Sequence, residues 1–212
     1  MNKKRTLAVF LIGILALILT ACGKMNATQQ NTDNVQKLNQ CAAIYEKYKD
    51  SGVKDTDESE LKNILTATEN FAAEYDQSWK YSDFYKFVND SNTKHKDKAA
   101  KECKYEVLGI RLIALMKLGE NEKYVSEFKD IYTANKDLGD FYKFEYNTIP
   151  KEKGTLSQDN IDLMFMGFDS IIENAESSED KTQAAVSVQE CCRYLEIECP
   201  QKYIQIVIEA NS

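Results

Sequence analysis

Beyond residue 21 the chain has 22 lysines but only two arginines, Arg111 and Arg193. Each sits in an apolar helical setting, Ile110-Arg111-Leu112 and Cys192-Arg193-Tyr194. A guanidinium carries a fixed planar fork of donors and tolerates partial burial better than an ammonium. Either residue could clamp an internal carboxylate or orient an anionic group on a ligand, and the internal pair is preferred because a buried charge needs a partner whatever the function. A second group, Trp79, Tyr81, Phe84 and Tyr85, could form an aromatic shelf for a small molecule or glycan. The preferred reading of Asp83-Phe84-Tyr85-Lys86-Phe87 is a short helix capped by Asp83, whose aromatics anchor it to the core.

Acid-base and metal chemistry find little footing. The sole histidine, His95, lies in Lys94-His95-Lys96 and reads as part of an exposed loop. One loop histidine cannot furnish the Glu-x-x-His pairs of a di-metal carboxylate bundle. Asp162, Asp169 and Glu173 form an acidic stripe that could serve proton transfer or calcium, yet a solvated helix face explains them more simply. There is no phosphate-cradling glycine loop, no nucleophile elbow and no zinc-protease histidine pair. No catalytic residue, metal ligand or cofactor is therefore expected.

The start of the chain is more specific. Lys3, Lys4 and Arg5 precede an apolar run from Leu7 to Leu19, the layout of a secretory signal. That run is shorter than the roughly 20 residues a bilayer core demands. Leu19-Thr20-Ala21-Cys22-Gly23 then resembles the lipobox of bacterial lipoproteins. The resemblance implies cleavage between Ala21 and Cys22 and a diacylglyceryl group on the Cys22 sulfur. Two acyl chains suffice for stable anchoring, whereas one binds only marginally. The implied location is the outer face of a bacterial cytoplasmic membrane.

Charge agrees with a tether of lipid rather than of basic residues. Residues 22–212 carry 24 Lys+Arg against 34 Asp+Glu, a net of -10. That balance opposes nucleic acid, whose phosphates demand a basic surface, and opposes adsorption to anionic lipid. Five further cysteines remain, Cys41, Cys103, Cys191, Cys192 and Cys199, an odd number without a C-x-x-C pair. Buried free thiols acting as small hydrophobes are the preferred reading, with a single bridge such as Cys192 to Cys199 the alternative.

Few glycines and prolines, with abundant Lys, Glu, Ala, Leu and Ile, indicate an all-α protein. Residues 1–21 form the leader, 22–32 the lipidated cysteine and a flexible spacer, and 33–212 one helical domain. Asp33 or Asn34 starts a helix that Ser51-Gly52 ends, with Leu38, Cys41, Ala42, Tyr45 and Tyr48 on one face. Asp57 and Glu60 fit a capping arrangement, and Leu61, Ile64, Leu65, Thr68, Phe71, Ala72 and Tyr75 trace one continuous face beyond it. These two helices are expected to form an antiparallel hairpin.

Asp83-Phe84-Tyr85-Lys86-Phe87 recurs unchanged as Asp140-Phe141-Tyr142-Lys143-Phe144, each followed by a loop and two helices. An internal duplication of 83–136 and 140–197 is the expectation that follows. Asp97 to Leu118 carries two apolar stripes, which places it at the centre of the core around Val107 to Leu118, and Gly109 would permit a close helix crossing. Leu118-Gly119-Glu120 with Tyr124 and Phe128 resembles the turn of a tetratricopeptide repeat, over one hairpin. Ser157 caps a helix with Ile161, Met164, Phe165, Phe168, Ile172 and Ala175 inside, and Ser178 caps the next. Tyr203 to Ile208 suits a strand or a helix, and helix is preferred because no other strand is evident.

The architecture expected is antiparallel helical hairpins, arranged as a bundle or short solenoid. The function expected is a membrane-anchored, non-catalytic module that binds a protein partner. The alternative is a binder of a small molecule or glycan, using the aromatics with Arg111 or Arg193. An enzyme acting on envelope material ranks third.

Overall fold

A computed structural model describes residues 32–91, 94–135 and 149–212, and every regular element among them is helical. The leader, Cys22, the spacer up to residue 31 and the repeat copy at 140–144 lie outside the described residues. Among the described residues no helix is long and apolar enough to cross a membrane.

Helix α1 spans 32–48 and buries Leu38, Cys41, Ala42 and Tyr48. It stops at Gly52, whose φ of 68° is a conformation open to glycine at little cost. Asp57 then caps α2 (Glu58–Ala67), accepting the Glu60 amide at 2.8 Å. The ion pairs Lys37–Glu74 and Lys47–Glu60 join early to late and late to early positions, so α1 runs antiparallel to the segment that follows.

The continuous face expected from Leu61 to Tyr75 is broken. A second helix, α3 (Phe71–Ser78), begins after Asn70, which adopts a left-handed φ of 59°. Thr68 Oγ1 donates to the Ile64 carbonyl at 2.7 Å, and Arg111 takes the Leu65 carbonyl. Side chains thus satisfy carbonyls at the end of α2 that further helical amides would otherwise bond. Asn is one of the few residues that enters the left-handed region readily.

A 3-10 turn (Trp79–Tyr81) leads to α4 (Phe84–Asp90). Asp83 precedes α4 but makes no side-chain cap, contrary to expectation. Its carboxylate pairs with Lys86 at 2.8 Å, and its amide donates to Asn39 Oδ1. The backbone of Asp83 is already helical, which turns its side chain away from the capping position.

Helix α5 (Lys96–Lys117) is buried without interruption from Val107 to Met116. Other helices surround it, α2, α4 and α6 among them. It ends in a Schellman turn at Gly119: the Glu120 amide bonds the Leu115 carbonyl and the Gly119 amide the Met116 carbonyl. Helix α6 (Asn121–Asn135) returns along α5, burying Tyr124, Phe128 and Tyr132.

After the 3-10 turn Pro150–Glu152, a capping box of Ser157 and Asn160 starts α7 (Gln158–Glu173). Its buried face is Leu163, Met164, Gly167, Phe168 and Ile171, while Ile161, Phe165, Ile172 and Ala175 are only half-buried. The shift from the expected stripe follows from Gly167, where an added Cβ would lie 2.7 Å from the Phe128 ring. Such a contact lets α6 and α7 approach closely and turns the Gly167 side of the helix inward.

Ser177, one residue earlier than expected, caps α8 (Ser178–Leu195) by accepting the Asp180 amide at 3.1 Å. Pro200 then opens α9 (Gln201–Ala210), so the ambiguous tail is helical. Tyr203 roots α9, donating from its hydroxyl to Asp169 Oδ1 at 2.9 Å. Its ring is fully buried.

Candidate functional site

Phe84, the innermost of the candidate aromatics, is fully buried among Tyr45, Phe71, Tyr75 and Phe87, with ring centroids 4.9 to 6.3 Å away. Trp79 is half-buried and lies parallel to Tyr75. Tyr81 and Tyr85 project into solvent, at 72% and 48% exposure. One residue of the set is thus core, one covers the core and two point outward. The anchoring role expected for Phe84 is what its packing displays.

The two arginines part company. Arg111 is 6% exposed and grips Glu127 with two bonds of 2.7 and 2.8 Å. The same guanidinium donates to the Leu65 carbonyl at 2.8 Å and to Thr68 Oγ1 at 3.0 Å. It joins α5, α6 and the broken end of α2, and these bonds occupy its fork. Arg193 has a side chain 65% exposed, pairs with Glu190 one turn back and lies 5.0 Å over the Tyr194 ring. The internal pair expected for both arginines is found only at Arg111, because Arg193 occupies the solvent side of the last turn of α8.

A buried carboxylate that the sequence reading missed is Glu152, with no exposed surface. It pairs with Lys117 at 3.0 Å, accepts the Val53 amide and receives the Thr155 hydroxyl at 3.2 Å. A Cβ on Gly52 would stand 2.1 Å from Glu152 Oε1, so only glycine leaves room for the carboxylate. Nearby, Lys151 reaches the Lys49 carbonyl and, at 3.4 Å, Glu106. Burial holds Glu106 above the ordinary carboxylate range despite the pull of Lys151. Both oxygens of Glu152 are engaged by the fold, which makes it a tie between the α1–α2 loop and α5.

The acidic stripe of α7 does not converge. Asp162 accepts from Gln158, Asp169 from Tyr203 and Lys202, and Glu173 faces solvent. No cluster of three or more His, Cys, Asp or Glu among the described residues could hold a metal ion. Cys41, Cys103, Cys192 and Cys199 are not activated nucleophiles either, since burial raises all four. Burial pushes Cys41 and Cys192 up to about 12 and Cys103 up to about 11.

A groove of about 740 Å³ between α1 and α2 has room for a partner. Ala43, Ile44, Ile64 and Ala67 give it an apolar floor, with Lys47 and Glu60 among the charges along its rim. Lys47–Glu60 bridges the two helices beside it, and Lys37–Glu74 ties α1 to α3. Tyr48 also contributes to its lining. The groove was missed in the sequence because Ala43 and Ile44 fall beside the core stripe of α1. That offset, apolar residues one step from the buried face, was the only signal for it. Comparison with protein-family models, curated proteins and solved structures gave no match.

Proposed function

We propose that the chain is a lipid-anchored extracytoplasmic module that docks a protein partner through the α1–α2 groove and performs no chemistry itself. The groove is the observation that carries this reading: it is open to solvent, long enough to involve Lys37 through Lys47 on one wall, and apolar beneath a rim of both charge signs. An apolar floor with a mixed-charge rim suits a helix or extended segment of another protein. Helix α1 begins ten residues after Cys22, so an anchor there would hold the groove close to the bilayer.

The test places a photo-reactive residue at Gln40, on the groove, and separately at Glu179, on the exposed start of α8, in intact cells. A discrete protein adduct from position 40, absent from position 179 and abolished by Ala43→Trp with helical content unchanged, supports the reading. Equal labelling from both positions, or labelling indifferent to Ala43→Trp, would refute it.

A further inference from the structure

Tyr81 and Tyr85, which the fold leaves in solvent, belong to the corner where the 3-10 turn at Trp79, α4 and the start of α5 meet. Phe84 and Phe87 serve the core behind them, packing against Tyr45. The core makes no such use of the two tyrosines. Trp79, the sole tryptophan of the chain, is half-buried in the same corner, with Lys80 Nζ 5.4 Å from its ring centre. Lys96 Nζ lies 6.0 Å from the centre of the Tyr85 ring and also bonds Asn89, one turn along α4.

The charge of this corner runs against that of the chain. Residues 22–212 carry a net of -10, whereas residues 79–101 hold six lysines against three aspartates and no glutamate, a net of +3. Both carboxylates of the neighbouring α3 are already engaged, Glu74 by Lys37 and Asp76 by Lys104. That helix therefore leaves the local excess standing. Tyrosine and tryptophan settle at headgroup depth in a bilayer, and lysine stems lie along apolar surface while their charge reaches the phosphates. Exposed rings interleaved with lysines suit such a boundary.

The position of the corner fits the same surface. The Asp83 amide donates to Asn39 Oδ1 at 2.8 Å and Glu74 pairs with Lys37, so the corner sits beside the first half of α1. From Thr32 back to Cys22 are ten residues, at most about 36 Å of chain even when fully extended. An acyl anchor at Cys22 keeps the corner within reach of the bilayer that holds it.

We infer that Trp79, Tyr81 and Tyr85, with Lys80 and Lys96, form a second contact with the membrane, seated among the headgroups of anionic phospholipid. This contact depends on the reading of Cys22 as an acyl anchor, which supplies the main attachment. The corner then sets how the domain lies, since two points of attachment fix an orientation that one tether leaves open.

Trp79 is its own reporter. The full mature chain, extracted from membranes, is reconstituted into vesicles of phosphatidylcholine and phosphatidylglycerol at two to one, with a nitroxide either on the headgroup or deep in the acyl chain. The expected result is strong quenching of Trp79 emission by the headgroup nitroxide and weak quenching by the deep one. Headgroup quenching falls to about half or less in phosphatidylcholine alone, in Lys80→Glu with Lys96→Glu, and in Tyr81→Ser with Tyr85→Ser. These four side chains are exposed, and helical content and flotation with the vesicles are compared for each variant. A chain that floats while the headgroup nitroxide leaves Trp79 unquenched overturns the contact and spares the anchor. Quenching that both double variants leave unchanged overturns it as well. A chain that fails to float removes the anchor and this contact together.

Discussion

Around Arg111 three helices meet, and each supplies part of what the guanidinium needs: Glu127 from α6, the Leu65 carbonyl and Thr68 hydroxyl from the end of α2, and the apolar wall of α5 itself. Around Arg193 one helix is ending, and the side chain lies along its surface against Glu190 and Tyr194. The flanking residues look alike in sequence, but the surroundings are opposite. Burial of a charge is decided by what other elements bring to it. The break in α2 is what makes the first site acceptable for an arginine.

The largest expected effect comes from testing that contrast directly. Arg111→Ala should cost about 3 kcal/mol in urea unfolding, because it leaves Glu127, Thr68 and the Leu65 carbonyl without their shared donor. Arg193→Ala should stay within about 0.5 kcal/mol, as for other exposed short-range pairs. Equal costs would erase the distinction between the regions.

A second contrast compares two glycines with similar backbones. Gly52 and Gly154 have φ of 68° and 80°, but only Gly52 faces a neighbour, Glu152, while Gly154 opens onto free space. Gly154→Ala should cost about 1 kcal/mol from the left-handed backbone alone. Gly52→Ala should cost about 3 kcal/mol, since it must also displace a buried, paired carboxylate. If both cost the same, the tie from Glu152 to the α1–α2 loop contributes little.

The C-terminal region sharpens the picture at lower amplitude. Tyr203→Phe keeps the ring and removes the bonds to Asp169 and the Phe165 carbonyl, for an expected loss of about 1 kcal/mol. Burial gives Glu106 the smallest effect. Its folded form keeps the proton to higher pH than the unfolded chain does, so its contribution falls as pH rises from the ordinary carboxylate value through its raised folded value. Glu106→Gln should remove that downward component from a stability profile measured across this window, leaving the profile above neutrality otherwise parallel.

Much of the helical framework can be read from periodicity and caps. Asp57 and Ser157 cap as their spacing implies, α5 is central because both of its faces are apolar, and the tail from Tyr203 is helical. Features that depend on tertiary partners are not legible in this way. The repeating face through Thr68 and Phe71 continues in sequence although Arg111 and Thr68 end the helix between them. Glu152 stands between Lys151 and Lys153, a pattern that reads as a solvated turn, and only the fold places it inside. The close approach of Gly167 to the Phe128 ring likewise depends on where α6 and α7 meet. The candidate groove was hidden for the same reason, since it exists only where α1 and α2 lie side by side.

Tethering at Cys22 is the claim on which the functional account depends, and the mass of the mature chain recovered from membranes tests it most directly. The expected chain begins at Cys22, carries a diacylglyceryl group there and leaves the membrane fraction on Cys22→Ala. A chain that retains residues before Cys22, or an unacylated one that stays with the membrane as firmly after Cys22→Ala as before, would contradict it.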